Sequence, residues 1–332
     1  MAVEVRPEGV YAARANDASG VLSQIATTSL PAGAVVPSLR QGNIVDRIAV
    51  IAALRKTLGA VQLGKGKDVT VIVPDTSVRV LLLDFDEMPS KADEAMSVVR
   101  FRLAKLLPFP PDQAQVSYQV MSRHALVMQV LVVAIPNEVL AEYESAVREA
   151  GFEPGAVLPS TLAIAAAIDE AGATATLLVN ASEFAATTAI LRRGELLLHR
   201  TLELKSEPMA EAAAVVALEP ANAAIDAELG VTSETAVSHV VQESVLADAD
   251  TTDRASLELL QAISVAAAYY EDSLNTAPSE VLTAGTLSPT ALAGMIADSG
   301  LTARDVLTDS DFLVTPTVQH GMLAGLRGAL KT

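Results

Sequence analysis

Apolar and polar positions along the chain fall into two similar openings. Val3 to Ala15 reads as two short strands around the turn Pro7-Glu8-Gly9. Residues 174–204 repeat that plan on a larger scale, with apolar segments either side of Asn180-Ala181-Ser182 and again either side of Arg192-Arg193-Gly194. Two hairpin openings, each followed by helical sequence, predict two related α/β lobes facing each other across a cleft.

The remaining pattern fills in the lobes. Asn43 is placed to cap a helix in which Ile48, Ile51, Leu54 and Leu58 recur at helical spacing, with Gly59 ending it. Gly64-Lys65-Gly66-Lys67 leads into Val69–Val73, a buried strand. A small inserted α/β module follows, opening on a strand from Val78 to Phe85. Ser90 would cap its helix, which carries Met96, Val99, Leu103 and Leu106 and is stopped by Leu107-Pro108-Phe109-Pro110-Pro111. Paired strands, Ala114–Met121 and Ala125–Ile135, join near Ser122-Arg123-His124. A helix capped by Asn137 runs through Ala150 to Gly151, and Val157–Ser160 returns the chain to the first lobe, followed by an alanine-rich helix up to Asp169.

Downstream, 210–246 offers only short helical patterns, Glu211–Leu218 and Asn222–Leu229. The acidic stretch 247–253 reads as a solvated loop opening the helix Arg254–Leu274, in which Leu257, Leu260, Ile263, Ala267 and Tyr270 share a face. Val281–Thr286 is a strand ending in a glycine turn, Thr290–Ser299 a helix, and Gln319–Leu330 a closing helix despite Gly321, Gly325 and Gly328. The resulting division is 1–75 for the first lobe, 76–155 for the inserted module and 156–172 for the return. The second lobe takes 173–315, and 316–332 is a C-terminal helix closing back on the core.

Composition narrows the function. The 332 residues are enough for two domains with sizeable cores. The longest nearly continuous apolar stretch, Ala125–Pro136, falls short of the roughly 20 residues a membrane helix needs. Glu4 and Arg6 interrupt any basic-then-apolar leader, so the reading is a chain that is not exported. With no cysteine there is no disulfide or thiolate chemistry. A net charge of −17, from 40 acidic and 23 basic residues, repels phosphate backbones and argues against nucleic acid as a partner. It also repels an anionic lipid surface unless a partner holds the protein there.

Candidate chemistry is sparse. Gly64–Lys67 lacks the spacing and trailing Ser or Thr of a P-loop and precedes a strand, so it reads as a turn. His124, His199, His239 and His320 are scattered with no carboxylate at ligand spacing, which gives no metal site. No Gly-x-Ser-x-Gly elbow is present. Asp84 and Asp86 around Phe85 read as a solvated strand edge rather than an acid–base pair.

Three stretches carry a family resemblance. They are Val71-Ile72-Val73-Pro74-Asp75 with Val78-Arg79-Val80 and Glu87-Met88-Pro89; Val99 to Phe109 followed by Ser117-Tyr118-Gln119-Val120; and Ala268-Tyr269-Tyr270 ahead of Val281–Gly285. In these, and in the order of its parts, the chain resembles the PilM family of type IV pilus assembly proteins. That family is a relative of the cell-division protein FtsA in the actin-like superfamily. The resemblance implies an actin-like two-lobed fold of duplicated RNase H-like lobes, with a small inserted α/β domain as in FtsA.

It also implies a nucleotide site, and here the matching positions depart from the family pattern. Glu4 and Arg6 stand where an aspartate and a glycine would open the first phosphate turn, and Pro7 removes a further N–H donor. Asn180 and Ser182 stand where the second aspartate and glycine would be, and Asn180 carries no charge to attract Mg²⁺. Ala284 and Gly285 hold the place of the paired glycines that meet adenosine. No catalytic residue, cofactor or metal is expected, ATP with Mg²⁺ being the alternative.

What the resemblance implies for function is a non-catalytic cytoplasmic scaffold, peripheral to the inner membrane and attached through other pilus assembly platform proteins. It would bind the cytoplasmic N-terminal peptide of a bitopic PilN-like partner in a groove beside the inserted module, by main-chain hydrogen bonds and apolar pockets. Leu106, Leu107, Pro108 and Phe109 are candidates for the groove's border; equally, they pack the helix onto the module's sheet. The alternatives are an active actin-like ATPase that switches partner affinity and a cytosolic actin-like component of a type II secretion platform.

Overall fold

The computed structural model describes residues 1–124, 127–168, 175–204 and 251–331. Strands β1 (Ala2–Arg6), β2 (Gly9–Ala15), β3 (Leu22–Ser29), β4 (Asp68–Val73) and β8 (Glu153–Pro159) form a sheet in the order β3-β2-β1-β4-β8. The first three are antiparallel neighbours, whereas β4 and β8 join in parallel. Strands β9 (Thr176–Ala181), β10 (Ala185–Arg192), β11 (Glu195–Glu203), β12 (Glu280–Gly285) and β13 (Thr302–Asp305) form a second sheet, β11-β10-β9-β12-β13, with the same order and strand directions. Between β4 and β8 the chain builds a separate antiparallel sheet of β5 (Arg79–Phe85), β7 (Val127–Pro136) and β6 (Ala114–His124).

Helices α1 (Arg47–Val61), α4 (Ser160–Ala167) and α7 (Ala324–Leu330) pack on the first sheet. Thr57 of α1 donates to Thr28 at 2.8 Å, while α4 and α7 approach Glu4. Glu4 faces Tyr11 and Tyr11 faces Thr27 across the strands, so α1 lies on one side of the sheet and the α4–α7 pair on the other. The α4–α7 crossing is close: a Cβ on Gly328 would lie 1.8 Å from the Ala163 carbonyl oxygen. Helix α5 (Thr251–Leu274) and helix α6 (Pro289–Met295) cover the face of the second sheet that presents Leu177, Val179 and Ala181. The intervening positions, Leu178 and Asn180, face the first lobe, where Leu178 joins the larger core. The inserted sheet carries α2 (Ala92–Leu103) on a core of Leu83, Val99, Leu103, Val116, Val130 and Val132, with α3 (Asn137–Glu149) at its seam with α1.

Several local expectations are corrected. Asp46 caps α1 by accepting from the Ala49 N–H at 2.9 Å, and Asn43 does not. Asn43 is instead fully buried, with its Oδ1 accepting from Ser38 N, Ser77 Oγ and Tyr143 OH, so it ties the first lobe to α3. Helix α1 runs past Gly59 to Val61 and buries Val50, Ala53, Leu54, Thr57, Leu58 and Val61, while Ile48 is 85% exposed. Neither Ser90 nor Asn137 caps its helix with a side chain. Leu257 is exposed, and among the residues of α5 whose burial is described Leu259, Ile263, Ala266 and Tyr270 are buried. Helix α6 ends at Met295 rather than Ser299, and the closing segment begins as a 3₁₀ turn, His320–Leu323. Strands β3 and β13 were not expected. The patterns at 206–249, His239 and the loop 247–250 lie outside the described residues.

Candidate functional site

A group of buried polar residues lies where the two large sheets meet. Alternation along β1 puts Glu4 and Arg6 on the α4–α7 side. Both are buried. Arg6 Nη2 lies 2.8 Å from Glu4 Oε1, which also accepts from Ser160 Oγ at 2.8 Å. The Arg6 guanidinium sits 5.8 Å from the Tyr11 ring centroid, within cation–π range. Burial pushes the Glu4 carboxyl above its ordinary range, opposed by the Arg6 charge and the Ser160 hydrogen bond. Glu4 Oε2 and Arg6 Nε are shielded from solvent without a hydrogen-bond partner.

Asp75 is the centre of a second group. It opens a 3₁₀ turn (Asp75–Ser77) after β4, and Pro74 holds the strand end extended. Its Oδ1 accepts from the backbone N–H of Thr161 at 3.0 Å, satisfying a donor in the first turn of α4. Its Oδ2 accepts from Thr161 Oγ1 at 2.6 Å, Asn180 Nδ2 at 3.2 Å and Thr187 Oγ1 at 3.1 Å. Thr187 Oγ1 is in turn 2.9 Å from Thr201 Oγ1. The Asn180 amide also reaches Ser160 Oγ at 3.2 Å and Thr161 Oγ1 at 3.0 Å. One carboxylate of the first lobe is thereby bonded to β9 and β10 of the second, and Ser160 links that group back to Glu4. His199 on β11 lies close enough to feel the Asp75 charge, but burial dominates and depresses its imidazole below the ordinary value.

The turns at the sheet ends are closed on themselves. Ser182 Oγ accepts from the N–H groups of Phe184 and Ala185, at 3.3 and 3.1 Å, and donates to the Ala185 carbonyl at 3.2 Å. At the end of β12, Gly285 has φ +84°, and a Cβ there would lie 2.0 Å from the Ala181 carbonyl oxygen. Only glycine fits that approach, and it also brings Gly285 beside the Asn180 side chain. Ala284 is buried under Gly321 of the closing 3₁₀ turn.

The structure therefore joins Glu4, Arg6 and Asn180 through Ser160 and sets Gly285 beside Asn180. It adds Asp75, Ser160, Thr161, Thr187 and Thr201, which sequence reasoning did not single out as site residues. The one available signal was Pro-Asp at a strand end, answered by Pro159-Ser160-Thr161 at another. Among the described residues, no group of three or more His, Asp or Glu side chains is arranged to hold a metal. Leu106, Leu107 and Phe109 are half-buried against the core of the inserted sheet, and Pro108 is exposed. Away from the network, Val36, Val45 and Ile48 are 51, 63 and 85% exposed. They sit around a short antiparallel bridge, Val35 with Ile44, at the seam where Glu142 of α3 accepts from the Gly42 and Ile44 N–H groups.

No family model and no curated protein matches the sequence. Solved structures do. A PilM–PilN type IV pilus biogenesis complex aligns with TM-score 0.66 at 15% identity, covering 99% of this chain and 96% of that one. The chain has that fold. A Bacteroides thetaiotaomicron protein of actin-like ATPase fold and unknown function aligns at TM-score 0.45 and 12% identity, covering 98% and 94%. The cytoplasmic domain of EpsL, an inner-membrane component of the Vibrio cholerae type II secretion system, aligns at TM-score 0.39 and 10% identity, covering 61% and 70%. No described helix is long and apolar enough to cross a membrane.

Proposed function

We propose that the protein is a cytoplasmic scaffold of a type IV pilus or related secretion platform. In this reading it has the actin-like, FtsA-type arrangement of duplicated RNase H-like lobes and holds the N-terminal peptide of a bitopic PilN-like partner at the inner membrane. The observation that carries the reading is structural alignment over almost the whole length of both chains. The exposed apolar residues Val36, Val45 and Ile48, at the seam between the first lobe and the inserted module, supply a surface such a peptide could cover. The test is calorimetric titration with the synthetic N-terminal peptide of the PilN-like protein encoded in the same genome. Saturable binding, weakened by Ile48→Asp at unchanged melting temperature, supports the reading; absence of binding to the wild-type chain overturns it.

We also read the cleft as a poor fit for Mg²⁺ and ATP. In support, Arg6 and Glu4 engage each other where backbone should approach phosphate. The Ser182 hydroxyl takes up N–H groups of the second turn, and the Asn180 amide is committed to Asp75, Ser160 and Thr161. Titration with ATP and Mg²⁺ at concentrations sensitive to millimolar affinity tests this, and saturable binding would restore the nucleotide-switch alternative.

A further inference from the structure

The inserted module joins the first sheet on its β4–β8 side, and the opposite edge, β3, is open. The Leu30 N–H donates to the Glu8 carbonyl at 3.1 Å, which fixes the parity of the β2–β3 ladder. Gln24, Ala26 and Thr28 therefore turn their backbone groups inward to β2, and Ile25, Thr27 and Ser29 turn theirs outward. Among the described residues nothing pairs with those outward groups. The segment after β13 starts to cover the edge, with the Leu313 N–H donating to the Leu22 carbonyl at 2.9 Å, and the pairing stops there. Between this segment, β3 and the end of α1 lies a groove of about 300 Å³ lined by Gln24, Ile25, Ala60, Val314, Thr315 and Thr317. Gln24 Oε1 is shielded from solvent without a hydrogen-bond partner. Open edges are ordinarily protected by charge or proline, and β3 carries neither.

We infer that this groove takes an extended, acidic segment of a partner protein as a further strand on β3. The unpaired N–H and C=O groups call for another backbone, and the walls select its charge. Strand β3, helix α1 and residues 312–319 hold no carboxylate, in a chain with 40 acidic residues. Their cations are Arg47, Arg55 and Lys56. The first two are engaged by Glu149 of α3, Arg47 by its carboxylate and Arg55 by its carbonyl. Lys56 is exposed, next to the Thr57 that bonds Thr28 of β3 and one turn from Ala60 in the groove. Carboxylates stand only beyond the Leu22 end, where Asp17 is held by Ser19 and Asp311 by Arg327, with Asp309 beside it. A second copy of β3 is a poorer occupant, because antiparallel pairing about Thr27 would bring two Lys56 side chains together.

The probe is a short fluorescein-labelled peptide of alternating valine and threonine with glutamate at both ends, set against a counterpart with lysine at the ends. Anisotropy should rise with the glutamate peptide, and the lysine peptide should bind about fivefold more weakly, the scale of one exposed charge pair. Lys56→Glu should reverse that order. Methylating the backbone nitrogens along one edge of the peptide should abolish binding, and along the other edge should leave it unchanged. In hydrogen exchange, the amides of Ile25, Thr27 and Ser29 should gain protection when the peptide is added. Thr27→Pro removes an outward donor without touching the β2 ladder and should weaken binding at a retained melting temperature. No binding of either peptide at millimolar concentration, indifference to backbone methylation, or no added protection at those three amides overturns the inference. A concentration-dependent dimer that Thr27→Pro dissociates also overturns it, and reassigns the edge to a second copy.

Discussion

The two large sheets share strand order and direction but solve their meeting differently. The first sheet buries a charged pair, Glu4 with Arg6, beneath α4 and α7. The second presents neutral groups, Asn180, Thr187 and Thr201, and receives its charge from Asp75 of the other lobe. The physical difference is in failure cost. A buried ion pair losing one member leaves the other charge uncompensated, whereas a hydroxyl or amide lost from a shared carboxylate leaves three other donors. The two sheets share a topology but not an interior chemistry.

The largest effect should come from the close approach at the end of the second sheet. Gly285→Ala forces a side chain onto the Ala181 carbonyl at positive φ and should cost about 4 kcal/mol in chemical denaturation. Gly33, also at positive φ but with no neighbour near its missing Cβ, should lose far less as Ala. Next comes the charged pair. Glu4→Gln removes the ion-pair partner of buried Arg6, leaving only the charge of Glu8 to oppose it, and should cost about 3 kcal/mol; Glu4→Leu with Arg6→Met should recover much of it. If the double variant is as unstable as the single, the contrast between the sheets fails.

On the neutral side, Asn180→Asp places a second carboxylate beside Asp75 and should cost about 2 kcal/mol at pH 7. The loss should shrink in acid as the pair takes up a proton, a pH dependence Asn180→Ala should lack. The smallest effect belongs to His199. Its folded-state pKa is below 6.5, so the unfolded chain binds more protons as pH falls through that value, and stability declines there. His199→Gln should flatten this slope in melting curves taken between pH 7 and 5.

Legibility followed burial. Strands such as Val69–Val73 and the hairpin around Arg192-Arg193-Gly194 were readable because apolar runs and turn residues coincide. Strand β3, Leu-Ser-Gln-Ile-Ala-Thr-Thr-Ser, was missed because it is a half-buried edge strand in which polar residues outnumber apolar ones, and β13 because it has four residues on an edge. The cap expectation at Asn43 failed because a buried amide found better partners in Ser38, Ser77 and Tyr143 than a helix N–H. Ile48 sits at the right helical spacing on the wrong side of the boundary, since periodicity gives a face but not its edges.

By itself the sequence determined the two-lobed plan, the inserted module, and which residue types stand at each sheet-end turn, because strand alternation and turn chemistry act over a few neighbouring positions. Only the tertiary structure decided that Asp75 is the junction. Its partners Thr161, Asn180 and Thr187 lie 86, 105 and 112 residues away. A carboxylate chooses among donors by distance in space, and that distance exists only once both sheets have formed.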